Sequence, residues 1–500
     1  MSPTRPLVAN GHFVLATRDS GYRGIASAVA ELVDNAIQGG ATVVQIVVRE
    51  ERTQVARPTG MHRELTIGVL DNGRGMDHEG LWTAVQFGGT ERFNDRGGLG
   101  RFGMGLPNSS VSVTRRLDVY SWRSHGEILY TYLDIDEVFC GGSNGIPEPR
   151  PQPLPFWAAE AASPTGTLIV WPRCDRLNYK KASTVAEKLL TSLGRIYRRP
   201  IWGGLNILVN GEVLRAVDPL FCHPDTGTGG GVAYGSPLRY EISVPGERRA
   251  STVIVRFTEL PVAEWQVRTP LEKRSAGIVG KAGASFVRAG REIDYSWELF
   301  GGKRRENYDD WWRCEVSFEP DLDELFGVTH SKQGVCPTPY LRSIVEPEME
   351  AVARLLNARV RTAFEAVKRV APSDAAAHAS RQDDLLPPSP ARARHARPSA
   401  GLSYTIALAA IPGPEFFEVI EDRGKVRVTI NTDHPFYERI YAPTAAESPR
   451  GQRYAIECLL LAAARAHLAV STRSQVSWTA YRRAWSDALA AFLETKGARR

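Results

Sequence analysis

An α/β protein of about three domains is the architecture that this sequence predicts, and three observations carry it. Val- and Ile-rich runs that read as strands alternate with stretches whose apolar residues recur at i, i+3 and i+4. At 500 residues the chain is longer than one hydrophobic core usually organises. The stretch from Ala371 to Ala400 is poor in bulky apolar residues and divides the last hundred residues from the rest. The expected layout is an α/β (α+β) domain over 1–175, a second α/β domain with a trailing helix over 176–370, a flexible linker over 371–400 and a small C-terminal α/β domain over 401–500.

Composition excludes several classes. Apolar residues make up 43% and charged residues 24%, which fits a globular chain with a core large enough to need no disulfide or metal. Six scattered cysteines with no C-x-x-C pair argue against a zinc ribbon and a secreted disulfide scaffold, and fit reduced thiols in a cytoplasm. No run of about 18 apolar residues suggests a membrane span, and the N-terminus has no signal-peptide apolar core. A net charge of +6 permits contact with nucleic acid without demanding it.

Along the chain, residues 1–20 read as an extended arm. RGIASAVAELVDNAIQGG, 23–40, is an amphipathic helix; ATVVQIVVRE, 41–50, and RELTIGVLDNGRGM, 63–76, are strands, the second entering a Gly-rich turn. A glycine-studded loop spans 88–105. Strands follow near 116–134, a Pro-rich excursion at 147–155 and another strand, GTLIVWP, at 166–172. The second block opens with a helix at 181–198 and a hairpin at 205–214 marked by Asn-Gly. It continues with strands in STVIVRFTEL, ASFVRAGREID and WRCEVSFEP, then a helical pattern over 338–370. After the linker, KVRVTINTDHPFY reads as strand and 452–496 as two helices. No internal repeat is found.

Three features carry candidate chemistry. In AELVDNAIQ, Glu31, Asp34, Asn35 and Gln38 form a polar stripe opposite Ile25, Val29, Leu32, Val33, Ala36 and Ile37. Taken alone, that stripe reads first as a solvated helix face, because charged residues are mostly exposed. VLDNGRGMD puts Asp71 at a strand end before Gly73 and Gly75, a turn that lets backbone approach a ligand and lets the acid accept from an exocyclic amine. GGLGRFGMGL offers bare N–H groups to an anion at the start of a helix. The G-x-G-x-x-G match at Gly98–Gly103 is not a dinucleotide fingerprint, because polar TERFNDRG rather than a strand precedes it. No G-x-x-x-x-G-K-[ST] occurs.

In order, ELVDNAIQ, LDNGRGM, GRFGMGL and GTLIVW resemble the GHKL superfamily of gyrase B-, heat-shock chaperone-, histidine kinase- and MutL-type ATP-binding domains, with its Bergerat-type sandwich. The resemblance covers residues 20–172. It implies ATP and Mg²⁺ as ligands. Glu31 would be the general base and Asn35 the Mg²⁺ ligand. Asp71 would read the adenine amine, with Gly73, Gly75, Met76 and Thr167 about it. Gly100, Arg101, Phe102, Gly103, Met104 and Gly105 would cradle phosphates under a lid. Asp34 either supports the site or is solvated.

ASFVRAGREID resembles a strand of MutL-type transducer domains. FGVTHSKQGV resembles the loop that brings a lysine to the γ-phosphate, which makes Lys332 the sensor and Gln333 its neighbour. WWRCEVSFEPDLDELFGVTHSKQ is similar to MORC-type ATPases and their prokaryotic relatives. The resemblance implies a transducer domain, an ATP-gated homodimeric clamp and DNA as its object, with genome defence as an analogy. A polypeptide-clamping chaperone and a nucleotide-sensing scaffold with little turnover are the alternatives. A histidine-kinase-like phosphotransferase is disfavoured, because only about twenty residues precede the polar helix. The Pro-rich insert and the last hundred residues depart from these patterns. His434 in NTDHPFY is read as structural.

Overall fold

The computed structural model describes residues 10–19, 21–22, 24–53, 62–89, 103–124, 127–140, 145–224, 229–329, 333–371, 373–383, 402–446 and 451–469, with scattered positions between 478 and 489. The chain forms two compact units. One comprises Met1–Thr258, Gly283–Gly302 and Arg313–Glu350, and the other Glu259–Ala282, Lys303–Trp312 and Ala351–Arg500.

The first unit holds an eight-stranded sheet. Its strands are β1 (Val43–Thr53), β2 (His62–Asp71), β3 (Arg116–Trp122), β4 (Leu129–Asp134), β5 (Arg150–Pro151), β6 (Gly166–Cys174), β7 (Asn206–Val209) and β8 (Glu212–Val213), in the order β5-β4-β3-β6-β2-β1-β7-β8. Every pair is antiparallel except β1 with β7. The helices are α1 (Asn10–Asp19), α2 (Ile25–Gln38), α3 (His78–Val85), α4 (Gly105–Val113), α5 (Ile135–Phe139), α6 (Phe156–Ala159), α7 (Ala182–Ile196) and α8 (Arg198–Trp202).

Strand alternation sorts the core. Ile67 and Val69 of β2, Leu117 and Val119 of β3, and Ile169 and Trp171 of β6 face one side, where Val29, Leu32 and Val33 of α2 and Leu189 and Leu193 of α7 close over them. Leu70, Tyr120, Trp122, Leu168 and Val170 face the other side, covered by Leu154, Trp157 and Ala158. The end of the Pro-rich segment and α6 after it therefore cover the second sheet face. Gly68 makes room for α6, since a Cβ there would lie 2.3 Å from the Trp157 ring.

Three expectations need correction. Residues 10–19 are helical rather than extended, with Arg18 buried and donating to Val111 O (3.0 Å), Thr114 O (2.7 Å) and Asp175 (2.6 Å). The first sheet does not stop near 175. The parallel pairing of β7 on β1 and the packing of α7 into the core extend it to Val213, and such a non-local contact leaves no periodicity to read. Part of the expected linker is ordered: Ser373 caps a helix at Asp374–Gln382 by accepting from Ala376 N–H at 2.9 Å, and Ala375 and Ala376 are buried.

A second sheet in the first unit uses β9 (Val232–Ala233), β10 (Leu238–Ser243), β11 (Ala250–Glu259), β12 (Ala284–Arg288), β13 (Arg291–Ser296) and β14 (Trp312–Phe318). Its order is β10-β11-β14-β12-β13, with β9 on β11 and β12 parallel to β14. In the other unit, β15 (Arg369–Ala371), β16 (Ser403–Ala409), β17 (Phe417–Asp422) and β18 (Lys425–Asn431) pair as β15-β16-β18-β17. The helix Gln452–Ala469 and the helix Asp374–Gln382 pack their apolar residues into that sheet's core. His434 is buried there, its Nε2 3.1 Å from Ser486 O and its Nδ1 accepting from Phe436 N–H at 3.2 Å, a structural setting.

Candidate active site

A cleft of about 570 Å³ opens in the first unit, within the size range of small-molecule sites. Its walls come from α2, the turn after β2, α3, the start of α4, β6 and residues of the second sheet and its following loop.

α2 supplies Glu31 and Asn35, which both line the cleft. The reading of this stripe as a solvated face is wrong. Glu31 is 3% exposed and Asp34 is fully buried, while Asn35 and Gln38 are half-buried. A buried carboxylate needs a partner. Asp34 meets Arg291, whose Nε lies 2.9 Å from its Oδ1, and the Tyr197 hydroxyl, which lies 2.7 Å from the same atom and 2.6 Å from Ala30 O. Asp34 therefore supports the helix from behind and is not solvated. Arg291 Nη2 also reaches to 4.0 Å from Glu31 Oε1.

Asp71 ends β2 directly opposite Thr167 of β6. Burial pushes its carboxyl up to about 6, although N–H groups of Gly73 and Thr167 pull the other way. Gly73 N–H donates to Asp71 Oδ1 at 2.7 Å. The turn is locked from below, where Asn72 Oδ1 accepts from Thr42 and Val43 N–H at 2.9 Å each. Gly75 cannot carry a side chain, since its φ is +64° and a Cβ would lie 2.0 Å from Trp122 O. Met76 N–H donates to Ser121 Oγ at 2.8 Å, and Ser121 Oγ sits 3.1 Å from Thr167 Oγ1. Strand end, turn and threonine thus form one hydrogen-bonded floor.

The ends of the glycine loop meet, with Gly88 N–H donating to Gly103 O at 3.0 Å. Gly103, with φ +60°, leads into α4, and Gly103, Met104, Gly105 and Leu106 line the cleft. A Cβ on Gly105 would lie 2.9 Å from Glu31 Oε2, so a glycine lets the helix N-terminus and the carboxylate share the space. The first N–H groups of a helix lack intrahelical acceptors and suit an anion.

Of the residues singled out from sequence, Glu31, Asn35, Asp71, Gly73, Gly75, Met76, Gly103, Met104, Gly105 and Thr167 converge on this cleft. Gly100, Arg101, Phe102 and Lys332 lie outside the described residues. Gln333 is half-buried and is not among the cleft-lining residues, although Val328 and Thr329 of the same loop are. Sequence reasoning missed Arg288 and Asp323, which line the cleft and pair bidentately at 2.6 and 2.7 Å, and it missed Tyr197 and Arg291. Nothing in their spacing ties residues 197, 288, 291 and 323 to residue 31; only the packing of the two sheets does. Among the described residues no group of three or more His, Cys, Asp or Glu could hold a metal by itself. The Asn35 amide oxygen, in the same cleft as the start of α4, is a ligand type that suits Mg²⁺, which keeps several waters and completes its shell with anionic oxygens.

Residues 22–159 match a family model described as histidine kinase-, DNA gyrase B- and HSP90-like ATPase. The match takes in α2, the Asp71 turn and α4, and it supports placing this domain in the GHKL superfamily. ATP binding and hydrolysis are the activities that such a domain supports. No curated protein matches the chain. Among the described residues, no helix is long and apolar enough to cross a membrane.

Proposed function

We propose that the chain is a Mg²⁺-dependent ATPase that works as an ATP-gated homodimeric clamp of the MORC or MutL kind, with DNA as the object held. The observation that carries the ATPase reading is the convergence of two buried carboxylates, Glu31 and Asp71, on one cleft beside the Gly103-Met104-Gly105 start of α4. Asp71 accepts from the adenine amine, and the Thr167–Ser121 floor fixes it. Gly103 to Gly105 offer N–H groups to the phosphates. Glu31 orients the attacking water and takes its proton. Asn35 would hold Mg²⁺, which when bound neutralises charge on the phosphates.

The second sheet and the loop after Phe326 act as the transducer in this reading. Val328 and Thr329 reach the cleft, which supports the same loop bringing Lys332 to the γ-phosphate. Nucleotide turnover then changes how the second sheet is held, a binding-driven cycle rather than chemistry on an outside substrate. The net charge of +6 is compatible with a phosphate-rich cargo.

The test is Mg²⁺-dependent ATP hydrolysis and mass in solution for wild type, Glu31→Ala and Asn35→Ala, with and without duplex DNA. Loss of turnover in Glu31→Ala with ATP-dependent dimers intact supports the cycle, and DNA stimulation supports the cargo. A wild type that neither binds nor hydrolyses ATP overturns the reading.

A further inference from the structure

The last residue of α2 lines the cleft and has no task in the nucleotide reading so far. Gln38 joins Glu31 and Asn35 there. It follows Glu31 by seven positions and Asn35 by three, so the three side chains form one stripe along the helix. Gln38 is half-buried, and its amide Nε2 is shielded from solvent with no hydrogen-bond partner among the described residues. Buried side-chain donors in folded proteins are mostly matched, so an unmatched amide on a cleft wall points to a ligand.

Two contacts fix which way the stripe runs through the cleft. At one end a Cβ on Gly105 would lie 2.9 Å from Glu31 Oε2, which puts Glu31 against the start of α4. At the other end Arg74 N–H donates to Gly39 O at 3.0 Å, and a Cβ on Gly73 would lie 3.0 Å from the same oxygen. The residue after Gln38 therefore packs on the Asp71 turn. Glu31 and Gln38 are about 10 Å apart along the helix axis. Helical side chains lean back toward the N-terminus, so the Gln38 amide covers the stretch between the Asp71 turn and Asn35.

We infer that Gln38 reads the sugar, its side-chain amide hydrogen-bonding the ribose hydroxyls of the bound nucleotide. The inference rests on the reading that Asp71 holds the adenine and the start of α4 the phosphates. In a nucleoside triphosphate the sugar stands between base and phosphates, and Gln38 stands between the groups assigned to them. Hydroxyls both donate and accept. A primary amide offers two N–H donors and a carbonyl acceptor, a closer match to two neighbouring hydroxyls than a carboxylate or a guanidinium. A nucleotide that lacks one hydroxyl leaves the amide unmatched, which costs affinity. Arg74, exposed and lining the cleft beside Gly39, is the rival contact.

The experiment is calorimetric titration of the full chain with ATP, 2′-deoxy-ATP and 3′-deoxy-ATP in the presence of Mg²⁺, for wild type, Gln38→Ala and Arg74→Ala. Wild type is expected to bind ATP about 5- to 20-fold more tightly than at least one of the deoxynucleotides. Gln38→Ala should weaken ATP by about that factor and shift the disfavoured deoxynucleotide less than about twofold, so that the preference disappears. Gln38→Met, which keeps the length of the side chain without its amide, should do the same and decides the matter if the alanine variant does not fold. Equal affinity of wild type for all three nucleotides overturns the inference. So does a Gln38→Ala protein that binds all three more weakly with the preference intact, the mark of a structural role. Loss of the preference in Arg74→Ala but not in Gln38→Ala places the sugar against the turn and overturns it too. A wild type that binds none of the three overturns the nucleotide reading itself and this inference with it, whereas ATP binding without a sugar preference overturns this inference alone.

Discussion

Two buried charge clusters sit in the first unit and do different work. In one, Arg198 donates to Glu292 at 2.8 Å, Glu315 at 2.6 Å and Ser285 at 2.9 Å, while Arg199 reaches Glu315 at 2.6 Å and Arg195 reaches Glu292 at 2.7 Å. Both glutamates are spanned by more than one arginine, and neither lines the cleft. Burial opposes the charge of Glu315, yet Arg198 and Arg199 hold its carboxyl below the ordinary range. In the other cluster, Asp34 takes the short contacts, while Glu31 sits at 4.0 Å from the shared arginine and faces the cleft. A carboxylate saturated by close donors is a fastener. One that lines an open cleft is placed to meet a ligand.

The comparison breaks first if the open carboxylate is dispensable. Glu31→Gln is expected to reduce ATP turnover by about 10²–10⁴-fold, the usual worth of a general base. Its melting temperature should stay close to wild type, because the amide fills the same space. Steady-state hydrolysis beside a thermal melt checks both halves.

The saturated cluster should behave in the opposite way. Glu315→Ala leaves Arg198 buried with part of its compensation gone, a change that costs about 3–5 kcal/mol of stability. Denaturant unfolding measures it. A loss below 1 kcal/mol would mean that the arginines find other partners and that the cluster is not a fastener.

Asp71 is a third case, a carboxylate buried without any basic side chain among the causes that shift it. Its value of about 6 lies above the ordinary 3.8, so the folded state holds the proton more tightly than the unfolded chain. The stability this gives is fully present below about pH 4 and is lost as pH rises through 6. Ionised Asp71 therefore costs the nucleotide-free protein about 3 kcal/mol near neutral pH. Asp71→Asn should raise the melting temperature at pH 7.5, lose that advantage by pH 4, and abolish ATP binding. A variant that is no more stable at pH 7.5 would show that the carboxylate is solvated.

These distinctions were only partly visible in the sequence. Local signals were legible. The i, i+3, i+4 spacing of α2, the Asn-Gly turn at 210–211 and the D-x-G-x-G turn each report on chain neighbours, and the structure has α2, the β7–β8 hairpin and the β2 turn there. The stripe Glu31-Asp34-Asn35 gave no sign of which acid was a fastener, because that depends on Arg291 and Tyr197, far away in sequence. The same reason hid the reach of the first sheet to Val213, since β7 pairs with β1 in parallel across the whole intervening domain. The helix at 10–19 was missed because tertiary contacts of Arg18 and Val14 fix it, where local spacing alone looked extended.

The smallest expected effect lies at the cleft rim and sharpens the contrast between buried and exposed charge. Asp77 pairs with Arg123 at 2.8 Å, with both side chains more than half exposed. It also caps α3, accepting from Gly80 N–H at 2.9 Å. An exposed pair contributes little, because water and salt screen it and two side chains lose freedom, whereas an N-cap is worth about 1 kcal/mol. Asp77→Asn keeps the cap and drops the charge, so its unfolding free energy should stay within about 0.5 kcal/mol of wild type. Asp77→Ala removes both and should lose about 1 kcal/mol. Denaturant melts at low and high salt separate the two contributions. If Asp77→Asn lost as much as Asp77→Ala, and did so only at low salt, the rim pair would carry weight that its exposure does not allow, and exposure would cease to be the property that separates strong from weak charge pairs in this domain.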